Sequence, residues 1–298
     1  MINIKIISLI SVVIYFCSFE AVAKIKGTAL ELLPSGHLIV DVVIKGETAK
    51  FIVDTGASSS VIDKKLVKKL SLTPLSNEAS IQGYVPGEHV LEMLKYRLNE
   101  VDLGGLVKSE IVFVEQDLSP MFQGLSQYEI QGIIGQEILA KFGLLLDVSK
   151  AKLYLPNEQL LKGYTATHIQ TTAIGLSFIE IEINQIKLNM FIDSGATEVM
   201  IDKEMAIKHN VGEISYDNQM EGVGENGNIR KIGLIEHSII MIAGRSIDSL
   251  LLVDDFSGLL SQVNPVALQG EISGLIGVSA LAKLSAIIDV KNQRLYIN

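Results

Sequence analysis

The chain has 298 residues, 48% hydrophobic and 20% charged, which is enough apolar material for one or two packed domains and too much for a disordered chain. Its formal net charge of -9 and pI near 5.1 argue against a nucleic-acid partner, because phosphate binding needs a clustered basic face and the Lys and Arg residues are scattered among acids.

The first element in chain order is a leader over residues 1–23. Lys5 supplies a basic start, residues 6–19 are nearly all apolar, and Ala21-Val22-Ala23 forms an A-x-A cleavage site. A secretory signal peptide is therefore expected, with a mature protein that begins at Lys24 and is exported to the periplasm or the medium. An uncleaved membrane anchor is the alternative, but these 14 apolar residues fall short of the about 20 that span a bilayer. Cys17, the single cysteine, lies in the leader, so the mature chain has no disulfide framework, thiol nucleophile or thiolate metal site.

The remainder is an internal repeat. HLIVDVVIKGETAKFIVDTGA (37–57) lies without gaps on LSFIEIEINQIKLNMFIDSGA (176–196), at an offset of 193 - 54 = 139 that also places Gly83 on Gly222. GIIGQEILAKFGLLLDVSKAKLYL matches GLIGVSALAKLSAIIDVKNQRLYI at 277 - 135 = 142. Two similar lobes follow, over 24–156 and 175–298, joined by a less apolar linker over 157–174.

Each lobe reads as mainly β. Residues 38–44 and 178–183 are β-branched strands joined by a short turn to the strand that carries the repeated motif. Helices are few and short, with Asp63 and Asp202 placed as N-caps. Asp147 and Asp289 anchor the turns before the last strand of each lobe. The five histidines, His37, His89, His168, His209 and His237, show no metal-ligand spacing and are expected in solvent or core roles.

The chemistry concentrates at Asp54 and Asp193. An acid that ends an apolar strand is costly unless hydrogen-bonded or protonated. Gly56 and Gly195 allow tight turns that bring N–H groups to the carboxylates, while Thr55 and Ser194 supply hydroxyls. One such motif reads as a turn held by a buried Asp. Two at equivalent repeat positions imply a pseudo-two-fold axis that joins the carboxyls, which would then hold one proton between them. The ionised member can activate water and the protonated member can donate to a carbonyl oxygen, with no metal or cofactor.

At these residues the sequence resembles the pepsin and retropepsin superfamily of aspartic peptidases. FIVDTGA and MFIDSGA match its hydrophobic-Asp-Thr/Ser-Gly motif, and IIG at 133–135 and LIG at 275–277 match its second motif, once per lobe. The resemblance implies two closed-barrel lobes with the active site between them, Asp54 and Asp193 as the catalytic pair, Thr55 and Ser194 as the lock between the lobes, and Gly135 and Gly277 close behind the catalytic loops. Ala57 and Ala196 follow the motif glycines as in retroviral-type enzymes, where pepsins carry a hydroxyl residue, so a less acidic pH optimum is expected.

Hairpin turns at Pro86-Gly87 and Asn226-Gly227 would make two flaps, with Gly83, Tyr84, Gly222 and Val223 near an extended peptide or protein substrate. With both acids in one chain a monomer suffices, and the 13 residues 24–36 leave no room for a pepsin-like inhibitory propeptide. Two other readings have distinct signatures. An inert peptide-binding module predicts decay of one motif, and both are intact; an actin-like kinase predicts long helices and a Gly-Gly adenine-side motif.

Overall fold

The computed structural model describes residues 27–75, 81–85, 88–216, 220–223, 229–263 and 270–298. The chain forms the expected mainly β, two-lobed architecture. In the first lobe the strand Leu38–Ile44 pairs antiparallel with Glu47–Val53, and in the second Ser177–Ile183 pairs with Ile186–Ile192. The two hairpins share few identities, yet each position is as buried as its counterpart. Their turns run through Lys45 (φ 52) and Gly46 (φ 80) and through Asn184 (φ 50) and Gln185 (φ 71), consecutive left-handed residues whose twist suits a two-residue hairpin.

The motif strand is central in each sheet. Glu47–Val53 pairs in parallel with Ile130–Ile134, which also pairs antiparallel with Val61–Asp63. The second lobe repeats this, with Ile272–Ile276 between Ile186–Ile192 and Val199–Asp202. Phe51 fills the space over Gly132, where a Cβ would lie 2.0 Å from Cε1, and packs edge-on against Phe113 with ring centroids 5.7 Å apart. Burying such a side chain stabilises by about 1.5–3 kcal/mol. Asp63 and Asp202 cap Lys64–Lys69 and Lys203–His209, and each also accepts a distant backbone N–H, from Leu118 and Phe256.

The second lobe closes into a six-stranded barrel because one ten-residue strand, Gly233–Ile242, pairs both with Arg245–Asp254 and with Ser177–Ile183. The first lobe forms the same seam in the same register, since Val43 pairs with Asp102 as Glu182 pairs with Met241. There the strand is broken at Asn99 and Glu100 into Lys95–Leu98 and Val101–Leu103, so this barrel carries an interruption that the sequence did not announce.

A six-stranded sheet joins the lobes. Its centre pairs Leu146 with Ile288, residues that are counterparts at the 142 offset (288 - 146), so the pseudo-two-fold axis passes between them. The stretch between the lobes contributes Thr165–His168, paired with the final strand Arg294–Ile297, and Gln170–Thr171, paired with Ser177–Ile183. Residues 1–26, and with them the leader, lie outside the described residues.

Candidate active site

Asp54 and Asp193 each sit one residue past the end of a central strand, where the backbone leaves the sheet but stays tethered to it. Asp54 N–H donates to Ile134 O at 2.9 Å and Asp193 N–H to Ile276 O at 3.1 Å. The loops then turn sharply. Gly56 N–H donates to Asp54 Oδ1 at 2.7 Å; Gly195 N–H and Ala196 N–H donate to Asp193 Oδ1 at 2.8 and 3.1 Å.

Thr55 and Ser194 link the loops across the interface, and both are fully buried. Thr55 Oγ1 donates to Ile192 O at 2.8 Å and accepts from Ser194 N–H at 2.9 Å. Reciprocally, Ser194 Oγ donates to Val53 O at 2.9 Å and accepts from Thr55 N–H at 3.0 Å. Each hydroxyl thus satisfies one carbonyl and one N–H of the opposing loop, groups that would be costly to leave unpaired in the interior.

This network brings each glycine against the opposite carboxyl. A Cβ on Gly56 would lie 2.6 Å from Asp193 Cγ, and one on Gly195 would lie 2.5 Å from Asp54 Cγ. The two acids thereby face each other across the interface, each against the loop that carries the other. Both are deeply enclosed though not wholly shut off from solvent, and enclosure is the leading cause that raises both above the ordinary carboxylate range. At Asp54 the charge of Asp193 adds to burial, against the opposing N–H of Gly56. At Asp193 the Gly195 N–H, the Asp54 carboxyl, the Ala196 N–H and the charge of His37 oppose that rise by favouring the charged form.

Gly135 and Gly277 lie directly behind these loops. A Cβ at Gly135 would meet Ala57 O at 2.7 Å, and one at Gly277 would meet Glu198 O at 2.4 Å. Supporting bonds run through the next residues, with Gln136 N–H donating to Ala57 O and Val278 N–H to Ala196 O. A carboxylate sits near each junction, but on different segments. Glu137 accepts from Ser60 N–H at 2.6 Å, whereas Glu198 accepts from Ser279 Oγ at 2.7 Å, and Glu137 and Ser279 are counterparts (279 - 137 = 142).

The expected flap residues lie in two short antiparallel pairs, each a two-stranded sheet of its own. Gly83 pairs with Leu91 between Ile81–Val85 and Glu88–Met93, and Gly222 pairs with Arg230 between Glu221–Val223 and Ile229–Lys231. Tyr84 and Val223 lie on these strands; the turns at Pro86-Gly87 and Asn226-Gly227, and the side chain of Tyr84, lie outside what is described.

Two residues of the site were not singled out from sequence. The Gln136 side chain donates through Nε2 to Thr55 O and accepts from Ser177 Oγ of the other lobe at 2.5 Å, a second tie across the interface. His37, part-buried and so facing solvent in part, lines a cleft of about 480 Å³ with Asp54, Gly195, Ile52, Phe122 and Leu125. The signal available for both was asymmetry within the repeat, which places Val278 opposite Gln136 and Leu176 opposite His37. A larger cleft of about 610 Å³, beside Lys45, Arg97 and Asp102, lies on a different part of the first lobe from the dyad.

Residues 40–138 match one family model described as aspartyl protease, and residues 170–257 match a second of the same description. Among solved structures, basic 7S globulin from soybean is similar over 91% of this chain and 94% of its own, at 11% identity and a TM-score of 0.51, a likeness of fold. A retropepsin-like aspartic protease from Rickettsia conorii is similar over 45% of this chain and 90% of its own, at 20% identity and a TM-score of 0.31. No curated protein sequence matches the chain.

Proposed function

Because the chain belongs to the aspartyl protease superfamily, we propose that it is an aspartic endopeptidase that hydrolyses peptide bonds with a water held between Asp54 and Asp193. The observation that carries this reading is the reciprocal Thr55–Ser194 network, which interlocks the two loops so that the glycine of each abuts the carboxyl of the other.

The surroundings of the two acids give them different roles. Two acids this close retain one proton over an intermediate pH range, and the proton is assigned to Asp54, whose carboxyl accepts one loop N–H where that of Asp193 accepts two. Asp193 is then the general base. It takes a proton from water as the water oxygen bonds to the scissile carbonyl carbon, while Asp54 gives its proton to the carbonyl oxygen. The neutral tetrahedral intermediate collapses as the C–N bond breaks. The amine departs with the proton held by Asp193, and the proton on the intermediate's hydroxyl returns to Asp54.

This scheme has a direct chemical test. Cleavage of a peptide in water enriched in oxygen-18 should place one solvent oxygen in the new carboxyl terminus, and an added amine or alcohol nucleophile should form no adduct. Trapping of an acyl-enzyme would refute direct attack by water. Peptide binding without any cleavage would favour the inert module.

For location, the leader composition supports export with cleavage before Lys24. An N-terminal sequence of the secreted or periplasmic protein that begins elsewhere, or protein retained in membranes, would oppose it.

A further inference from the structure

The cleft beside the dyad is lined by His37, and the repeat places Leu176 at the equivalent position of the second lobe. The ring borders the same cleft as the Asp54 carboxyl, while the counterpart Leu176 is apolar and buried. Ile52, Phe122 and Leu125 are apolar residues of the same cleft, and they pack with Ile39 in one hydrophobic cluster.

The loop that presents the ring is held from the other lobe. Thr197 Oγ1 donates to Ser35 O at 2.5 Å, and Gly36, at φ 87, leaves room for Thr197, whose Cγ2 would lie 2.8 Å from a Cβ there. The corresponding pair in the second lobe is looser, since a Cβ on Gly175 would be 3.9 Å from Ser58 Cβ. His37 Nδ1 meets Ser35 Oγ at 2.9 Å, which leaves Nε2 for a bound side chain. With the Ser35 hydroxyl donating to Nδ1, Nε2 carries the proton and becomes a donor in a cleft that Ile52, Phe122 and Leu125 also line.

We propose that His37 determines specificity, by accepting at one substrate position a side chain with an aliphatic stem and a terminal oxygen acceptor, namely glutamine or glutamate. The stem packs on Ile52, Phe122 and Leu125, and Nε2–H donates to the terminal oxygen. The inference rests on the peptidase reading and adds a substrate class to it.

A buried donor with its acceptor missing discriminates strongly against a purely apolar side chain. The test is a peptide library cut by the mature wild-type protein, His37→Leu and His37→Gln, with melting temperatures measured in parallel. Wild type should favour Gln or Glu at one position. His37→Leu, which copies the second lobe, should lose at least about tenfold in kcat/KM for those peptides relative to Leu-containing ones, with preferences elsewhere unchanged. His37→Gln, which keeps a donor near the Nε2 position, should retain most of the preference.

An unchanged profile in His37→Leu overturns this inference alone. So does an equal loss on every peptide, which would mark a structural role. A wild-type protein that cuts no peptide overturns the peptidase reading and this inference with it.

Discussion

Gly56 and Asp193 meet across the lobe interface so closely that a Cβ on the glycine would lie 2.6 Å from the carboxyl carbon. The contact is a consequence of the interlocked loops, and it predicts that Gly56→Ala displaces the Asp193 carboxyl. Overpacking of this kind costs about 1–3 kcal/mol. Activity should fall by more than about a hundredfold, on the scale of a misplaced acid or base, while the protein still folds. Steady-state kinetics and a thermal melt check this, and a fully active variant would place the carboxyl elsewhere.

Removal of one hydroxyl from the lock should act mainly on stability. Thr55→Val leaves Ile192 O and Ser194 N–H without their buried partner, at about 1–3 kcal/mol each. The melting temperature should drop by roughly 5–10 °C, and Thr55→Ser should restore most of it. Because Thr55 and Ser194 belong to one network, the double variant Thr55→Val with Ser194→Ala should lose less than the sum of the single losses.

The raised carboxyl of Asp54 has an opposite effect on stability. Its folded pKa exceeds the unfolded value of about 3.9, so ionisation favours the unfolded chain, and stability is lost as pH rises from about 4 through the raised folded value. Asp54→Asn removes that loss. The variant should melt several degrees above wild type at pH 7, and the gap should shrink to about a degree or less below pH 4. A gap that is independent of pH would contradict the burial of an ionisable group there.

The pH–rate profile follows from the same two shifts. Activity needs Asp193 ionised and Asp54 protonated, and both pKa values lie above the ordinary range, so the acid and alkaline limbs both move upward. The optimum should fall above about pH 4. Ala196→Ser, which adds a hydroxyl near the Asp193 loop, should shift the acid limb to lower pH by stabilising the charged form. A peak only in strong acid would refute this part.

Much of this arrangement was legible in sequence for a local reason. Strand alternation, the Asp63 and Asp202 caps and the tight turns at Gly56 and Gly195 depend on neighbours a few residues away, so the residue types declare them. The 139-residue offset then carried one lobe onto the other. What was hidden depends on long-range placement: the break at Asn99 and Glu100, the self-pairing of Leu146 with Ile288, and the reach of Gln136 to Ser177 across the interface. His37 escaped because a lone histidine at a strand start has no local signature of a cleft. Its meaning emerges only when the loop held by Thr197 brings it into one cleft with Asp54 and Gly195.

The most direct test of the central claim is digestion of a peptide library by the mature protein beside Asp54→Asn and Asp193→Asn, across a broad pH range. Wild type should cleave, and each variant, which keeps the shape but loses one acid, should fall by a factor of about 10² to 10⁴ or more. Full activity in either variant, or no cleavage by wild type at any pH, would contradict a shared-proton pair at Asp54 and Asp193.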